Sequence, residues 1–232
     1  MTSSALKQSA GALEGHLQQL KRLRGSREGQ PPRLPELKAW QSQRLTRTYA
    51  DVASQPRCRA ATSFFIEDLY GPKDFSSRDQ EMLRILPVMT RVLPQSAVET
   101  AALAIELEAL SEDLDQRLAD ALGAAALNES TYAKAYRDSS APAERQRQIE
   151  LIDSVGHRLD ALVKKPLIAG TLRLMRRPAH LAGLGDLQEF LERGFEAFRA
   201  MHGAGEFLAL IREREEGILK RLFSGAPEPF ST

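Results

Sequence analysis

The chain has 232 residues, enough for one large helical domain or two small ones, and 42% of them are hydrophobic. Its 32 Lys and Arg stand against 31 Asp and Glu, a formal net charge of +1, which removes any global argument for a nucleic-acid partner. The single cysteine, Cys58, precludes an intrachain disulfide and fits a reducing compartment. No stretch approaches the roughly 20 apolar residues of a membrane span, and Met1–Leu20 has no apolar signal core. The expected location is therefore cytoplasmic, with no membrane partner.

The spacing of Leu6, Leu13, Leu17 and Leu20 predicts a first helix over about 4–24, with a basic C-terminal end at Lys21, Arg22 and Arg24. A basic amphipathic helix can lie on a membrane, but this one has no aromatic anchor. Gly25, Gly29, Pro31, Pro32 and Pro35 break the pattern, so 25–35 reads as a mobile linker. A second helix is expected over about 35–53, with Leu37, Trp40, Leu45, Tyr49 and Val52 on one side. Pro56 separates it from a third helix over about 57–70. Cys58 lies between Arg57 and Arg59, but sequence neighbours do not share a helix face, and an inert thiol is expected.

The third helix delivers the most unusual stretch of the chain, Phe64 to Asp79. Phe64, Phe65 and Leu69 make an apolar face, with Glu67 and Asp68 falling off it. Gly71 and Pro72 end the helix. Ser76 or Ser77 can cap the next, and Phe75 can staple the corner to the core. The bland reading is a packed turn. The sharper one is a ligand pocket lined by Tyr70, Asp74 and Arg78. An arginine near a helix N-terminus opposes the helix dipole, so Arg78 should have an anionic partner, with Asp74, Asp68 and Glu67 as candidates. The candidate corner is thus Phe64, Phe65, Asp68, Tyr70, Asp74, Phe75 and Arg78.

The same residues carry a resemblance. Phe-Phe-x-x-Asp-Leu-Tyr-Gly-Pro-x-Asp-Phe over 64–75, followed by Ser-x-Arg-Asp over 76–79, resembles the signature of a family of bacterial all-helical proteins of unknown function. The likeness is sharp over about these sixteen positions and vague over the remainder. It implies a bacterial, helical protein and carries over no functional residue.

A fourth helix should start near Ser77, with Met82, Ile85, Leu86 and Met89 on one face and Pro87 kinking or splitting it. Ser96 and Glu99 then spell a capping box for a fifth helix reaching about Leu122, where Gly123 ends it. Its acids, Glu106, Glu108, Glu112, Asp113 and Asp115, invite a di-metal reading. That chemistry also needs a Glu-x-x-His motif, and none exists here, so a solvated or Arg-paired face is expected and no metal site. Residues 1–60 are rich in Lys and Arg, whereas 99–120 carry seven acids against Arg117 alone. The two regions should therefore meet, within one chain or across a homodimer.

Beyond this lie a short helix over 128–137 and a longer one over 142–164. The next, 166–175, is nearly all apolar; deep burial is expected for it, with Arg176-Arg177-Pro178 as its stop. Gly183-Leu184-Gly185 precedes a phenylalanine-rich helix over 186–202, and no strand stands before these glycines, which argues against a nucleotide loop. The last helix is expected over 206–223, with a frayed tail over 224–232.

The whole reads as all-α, a bundle of about nine or ten helices without a sheet, in a single domain over 1–232. No Ser-His-Asp, metal or nucleotide motif supports an enzyme, so no catalytic residue and no cofactor is assigned. A haem ligand among His16, His157, His180 and His202 has no supporting pattern. An interaction or regulatory protein, homodimeric, is the first functional reading. The alternative is a binder of a small apolar or anionic ligand, with a pocket beside the 64–79 corner. An enzyme of another type comes last.

Overall fold

The computed structural model describes residues 2–25, 30–69 and 76–231. Among these there are helices and turns and no strand. The fold is all-α. In chain order the helices are α1 (Thr2–Arg24), α2 (Leu34–Thr48), α3 (Ala50–Ser54), α4 (Pro56–Phe64), α5 (Ser76–Val92) and α6 (Gln95–Leu122). They continue with α7 (Glu129–Ser139), α8 (Pro142–Val163), α9 (Pro166–Leu181), α10 (Gly185–Ala200) and α11 (Gly205–Ser224). No helix of the described residues is long and apolar enough to cross a membrane.

The bundle is built on α6, the longest helix. One flank of α6 takes α1, whose Leu13, Leu17 and Leu20 are each fully buried against Val98, Ala102, Ile105 and Ala109. The leucine spacing of four and three residues puts all three on one stripe, which is why α1 lies along α6. Another flank takes α2 and α7, through Leu34, Leu37, Leu118, Leu122 and Tyr132. A second core joins α4, α10 and α11, where Phe64, Phe198, Met201, Phe207 and Leu208 pack together. Gly156 lets α8 approach α11, since a Cβ there would sit 2.3 Å from a methyl of Leu208.

Local chemistry departs from the sequence reading at several points. α6 starts one residue before Ser96, behind Pro94, and Ser96 makes no capping bond. Its carbonyl instead accepts from Thr100 Oγ1 at 2.6 Å, and Gln95 Nε2 donates to Glu99 at 2.8 Å, so the expected capping box is replaced. The reciprocal cap belongs to α7, where Asn128 and Thr131 exchange bonds. α5 runs through Pro87 and α9 through Pro178, so neither proline splits its helix. Arg24, just before the expected linker, and Arg33, within it, are tied down. Arg24 pairs with α6, and Arg33 Nη1 donates to the Gly123 carbonyl at 3.1 Å.

The tail after Ser224, read as frayed, lies against the body. Gly225 adopts the left-handed conformation (φ 74°) that turns the chain back. The Phe230 ring then sits 5.8 Å from both Trp40 and Tyr132. Arg221 Nε donates to the Pro229 carbonyl at 2.9 Å and Nη2 to that of Ser231 at 2.7 Å.

The largest correction concerns α9. Its near-continuous apolar run predicted deep burial, but only Ala179 of this helix is buried. Leu167, Leu174 and Leu181 are 82%, 78% and 90% exposed. The physical reason is that α9 has one packed side, facing α8 and α10, while its leucines at seven-residue spacing fall on the other.

Candidate functional site

The corner is reached through a change of helical pitch. After Phe64 the α4 ladder widens into a π-helical turn, Phe65–Leu69. Such a turn adds a residue to the ring and rotates the side chains beyond it, and it is frequent at functional sites. Asp68, which α-helical spacing sets off the apolar face, is only 4% exposed here. Its Oδ1 accepts from Arg193 Nη2 of α10 at 2.8 Å. Phe64 packs on Phe190, ring centroids 5.3 Å apart, and stands over Gly194, where a Cβ would lie 2.8 Å from the ring. Phe65 turns the other way, onto Phe198 and Phe207.

Arg78, in the first turn of α5, is 3% exposed. Among the described residues its carboxylate partner is one the sequence did not suggest. Nη2 donates to both carboxylate oxygens of Glu108 on α6, at 2.8 and 2.6 Å. The guanidinium also lies 4.5 Å from the centre of the Phe190 ring. Phe64 and Arg78 thus come together at Phe190, while Phe65 packs on Phe198 and Phe207. Tyr70, Asp74 and Phe75 lie outside the described residues.

Behind this corner is a cavity of about 280 Å³. Its lining changes character along α6. From Ala97 to Ile105 the walls are apolar, closed by Leu159 and Val163 of α8, Ile168 and Leu172 of α9, and Phe190 and Phe195 of α10. From Glu108 to Asp115 the walls are charged, with Arg24, Lys38 and Arg78 facing Glu108, Glu112 and Asp115. The stretch of α6 from Ala97 to Asp115 rises about 27 Å at the usual 1.5 Å per residue, so the cavity is elongated.

The charged end is a network. Glu112 Oε2 accepts from Lys38 Nζ at 2.8 Å and from Arg24 Nε at 3.1 Å. Arg24 Nη1 also lies 3.6 Å from Glu108. Burial opposes charge on Glu112, yet Lys38 and Arg24 together hold its carboxyl below the usual carboxylate range. Asp115, one turn on, has no cation in hydrogen-bond contact among the described residues. It accepts from Gln41 Nε2 at 2.9 Å, and burial pushes its carboxyl up. The two acids share one wall and titrate in opposite directions. The basic N-terminal third and the acidic helix do meet, then, and they meet within one chain.

A second, smaller cavity of about 100 Å³ adjoins the first and shares Phe65, Asp115 and Ile152 with it. Its polar side holds Arg44, paired with Glu215 at 2.9 Å, and Tyr49, whose hydroxyl donates to the same carboxylate at 2.8 Å. Arg145 lies 4.1 Å over the Tyr136 ring. Burial, then Glu215, raises the Tyr49 phenol, which stays protonated. Sequence reading missed this cluster. Its members are spread over α2, α6, α7, α8 and α11, and no short motif joins them.

Residues 20–229 match a family described as a domain of unknown function, DUF8198. The chain belongs to this family. No curated protein and no solved structure matches it. For this DUF8198 chain the functional reading rests on geometry: a mostly apolar cavity, a charged end on α6, and a π-turn beside it. His16, His157, His180 and His202 are not brought together. His16 faces Glu106 at 4.0 Å and His157 faces Asp153 at 3.3 Å, both at the surface side of their helices.

Proposed function

We propose that this DUF8198 chain is a small-molecule-binding protein whose ligand is amphipathic. Its apolar body occupies the cavity between α5, α6, α8, α9 and α10, and a single anionic group lies at the Arg24, Lys38 and Arg78 end. The observation that carries this is the cavity itself, apolar for most of its length with convergent polar groups at one end. Three cations line that end against three acids, and burial pushes the Asp115 carboxyl up.

Native mass spectrometry of freshly expressed protein tests this, paired with thermal shift against straight-chain carboxylates of graded length. The expected result is a retained small mass, or a melting temperature that rises with chain length to an optimum. Ala104→Phe fills the cavity from α6 and removes the shift. No retained mass and no shift at any length overturns the reading.

A second reading, an interaction or regulatory protein, is favoured by the uncovered leucines of α9. The opposite charge biases of residues 1–60 and 99–120 suggested self-association. Those biases are met inside one chain by Arg24–Glu112, Lys38–Glu112 and Arg24–Glu108. A homodimer would have to use another surface.

A further inference from the structure

α9 combines two features that no other helix of the described residues shares. Leu167, Leu174 and Leu181 are almost fully exposed, and Met175 is 44% exposed beside them. At about 100° per residue the three leucines fall within about 40° of one another, a single stripe along the helix. The second feature is charge. Between Asp160 and Asp186 the chain has no acid, while Lys164, Lys165, Arg173, Arg176 and Arg177 are all basic. Arg176 is committed to Glu192 and Lys164 to Asp160. Arg173 and Arg177 are exposed, and among the described residues neither has a carboxylate within ion-pair distance. On the helix they flank the leucine stripe on one side.

From this we infer that α9 docks on an anionic lipid bilayer, leucines in the interface and Arg173 and Arg177 against the headgroups. The charge pattern chooses this occupant over a second copy of the chain. A two-fold dimer places the same patch on itself. Two α9 helices would bring Arg173 and Arg177 near their own copies, with no acid on the helix to offset them. An anionic surface instead satisfies both the apolar stripe and these two cations. The expectation of no membrane partner rested on the lack of a spanning stretch and of an aromatic anchor on the N-terminal helix, and a helix that lies on the surface through leucines requires no spanning stretch. The opposite side of α9, through Ile168 and Leu172, lines the large cavity. The docking inference holds whatever that cavity contains.

Vesicle co-sedimentation of the full chain tests it, using phosphatidylcholine alone and phosphatidylcholine mixed with phosphatidylglycerol. The wild type is expected to sediment with the mixed vesicles, to stay in solution with phosphatidylcholine alone, and to be released by added salt. Leu174→Glu with Leu181→Glu changes only exposed side chains and should leave the helical circular dichroism unchanged while weakening vesicle binding at least about tenfold. Arg173→Gln with Arg177→Gln should remove the preference for anionic lipid. Absence of wild-type binding to either vesicle overturns the inference. So does equal binding by the wild type and the leucine variant. A concentration-dependent dimer in sedimentation velocity, abolished by the same leucine substitutions and indifferent to vesicles, overturns it in favour of a second copy.

Discussion

α6 and α9 reverse the usual relation between polarity and burial. α6 carries Glu108, Glu112 and Asp115 against a cavity wall, with Glu112 only 3% exposed. α9 carries leucines at 78% exposure and above. The difference teaches that composition sets what burial costs, while neighbours decide whether it happens. α6 has helices on several sides, and three of its neighbouring segments supply Arg24, Lys38 and Arg78 to its acids. α9 has neighbours on one side alone, α8 and α10.

The sharpest way to break this contrast is to remove an acid from the buried wall. Glu112→Ala leaves Lys38 and Arg24 without their shared partner. Removing one member of a buried ion pair costs about 3 kcal/mol, to be read as a fall in urea midpoint with unchanged slope. Arg78→Ala is expected to cost slightly less, about 2 to 3 kcal/mol, because Glu108 keeps Arg24 nearby. A double-mutant cycle with Glu108→Ala should show strong coupling for the Arg78–Glu108 pair, and additive losses would show that the pair does not act as a unit.

Between these and the surface lies a pH experiment. Glu112 has a lowered folded pKa, so its contribution is present above the unfolded value of about 4.3 and is lost as pH falls through the folded one. Asp115 has a raised folded pKa. Its contribution is present below the unfolded value of about 3.9 and is lost as pH rises through the folded one. Asp115→Asn should therefore stabilise the protein at neutral pH, with the gain shrinking in acid. Glu112→Gln should destabilise it at neutral pH, with the loss shrinking in acid. Parallel pH profiles for the two variants would contradict the opposite environments. The smallest effect is expected on α9, where Leu174→Ser should change unfolding free energy by less than about 0.5 kcal/mol, since its side chain is 78% exposed.

Much of the bundle was legible from local rules. Gly123 stops α6, Pro142 and Pro166 sit at the starts of α8 and α9, and Gly203 lies between α10 and α11, which starts at Gly205. Each acts through the backbone of its own turn, so no tertiary information is needed. The capping box at Ser96 failed because Pro94 offered an earlier start with its extended backbone already set. Of the candidate site, the aromatic corner and the need of Arg78 for an anion were visible. Its partner was not, because Glu108 lies thirty residues away on another helix. Asp68 was assigned to the outer face because a π-turn cannot be read from α-helical spacing.

By itself, then, the sequence determined the helical class, most helix boundaries and the complementarity between a basic N-terminal third and an acidic α6. All three come from turn chemistry, periodicity and charge, which act over a few residues or sum along a segment. Only the tertiary structure decided that the acids of α6 line a cavity and that the leucines of α9 stay uncovered. An apolar or charged stripe states what a face would favour, and the packing of distant helices supplies or withholds the surface that meets it.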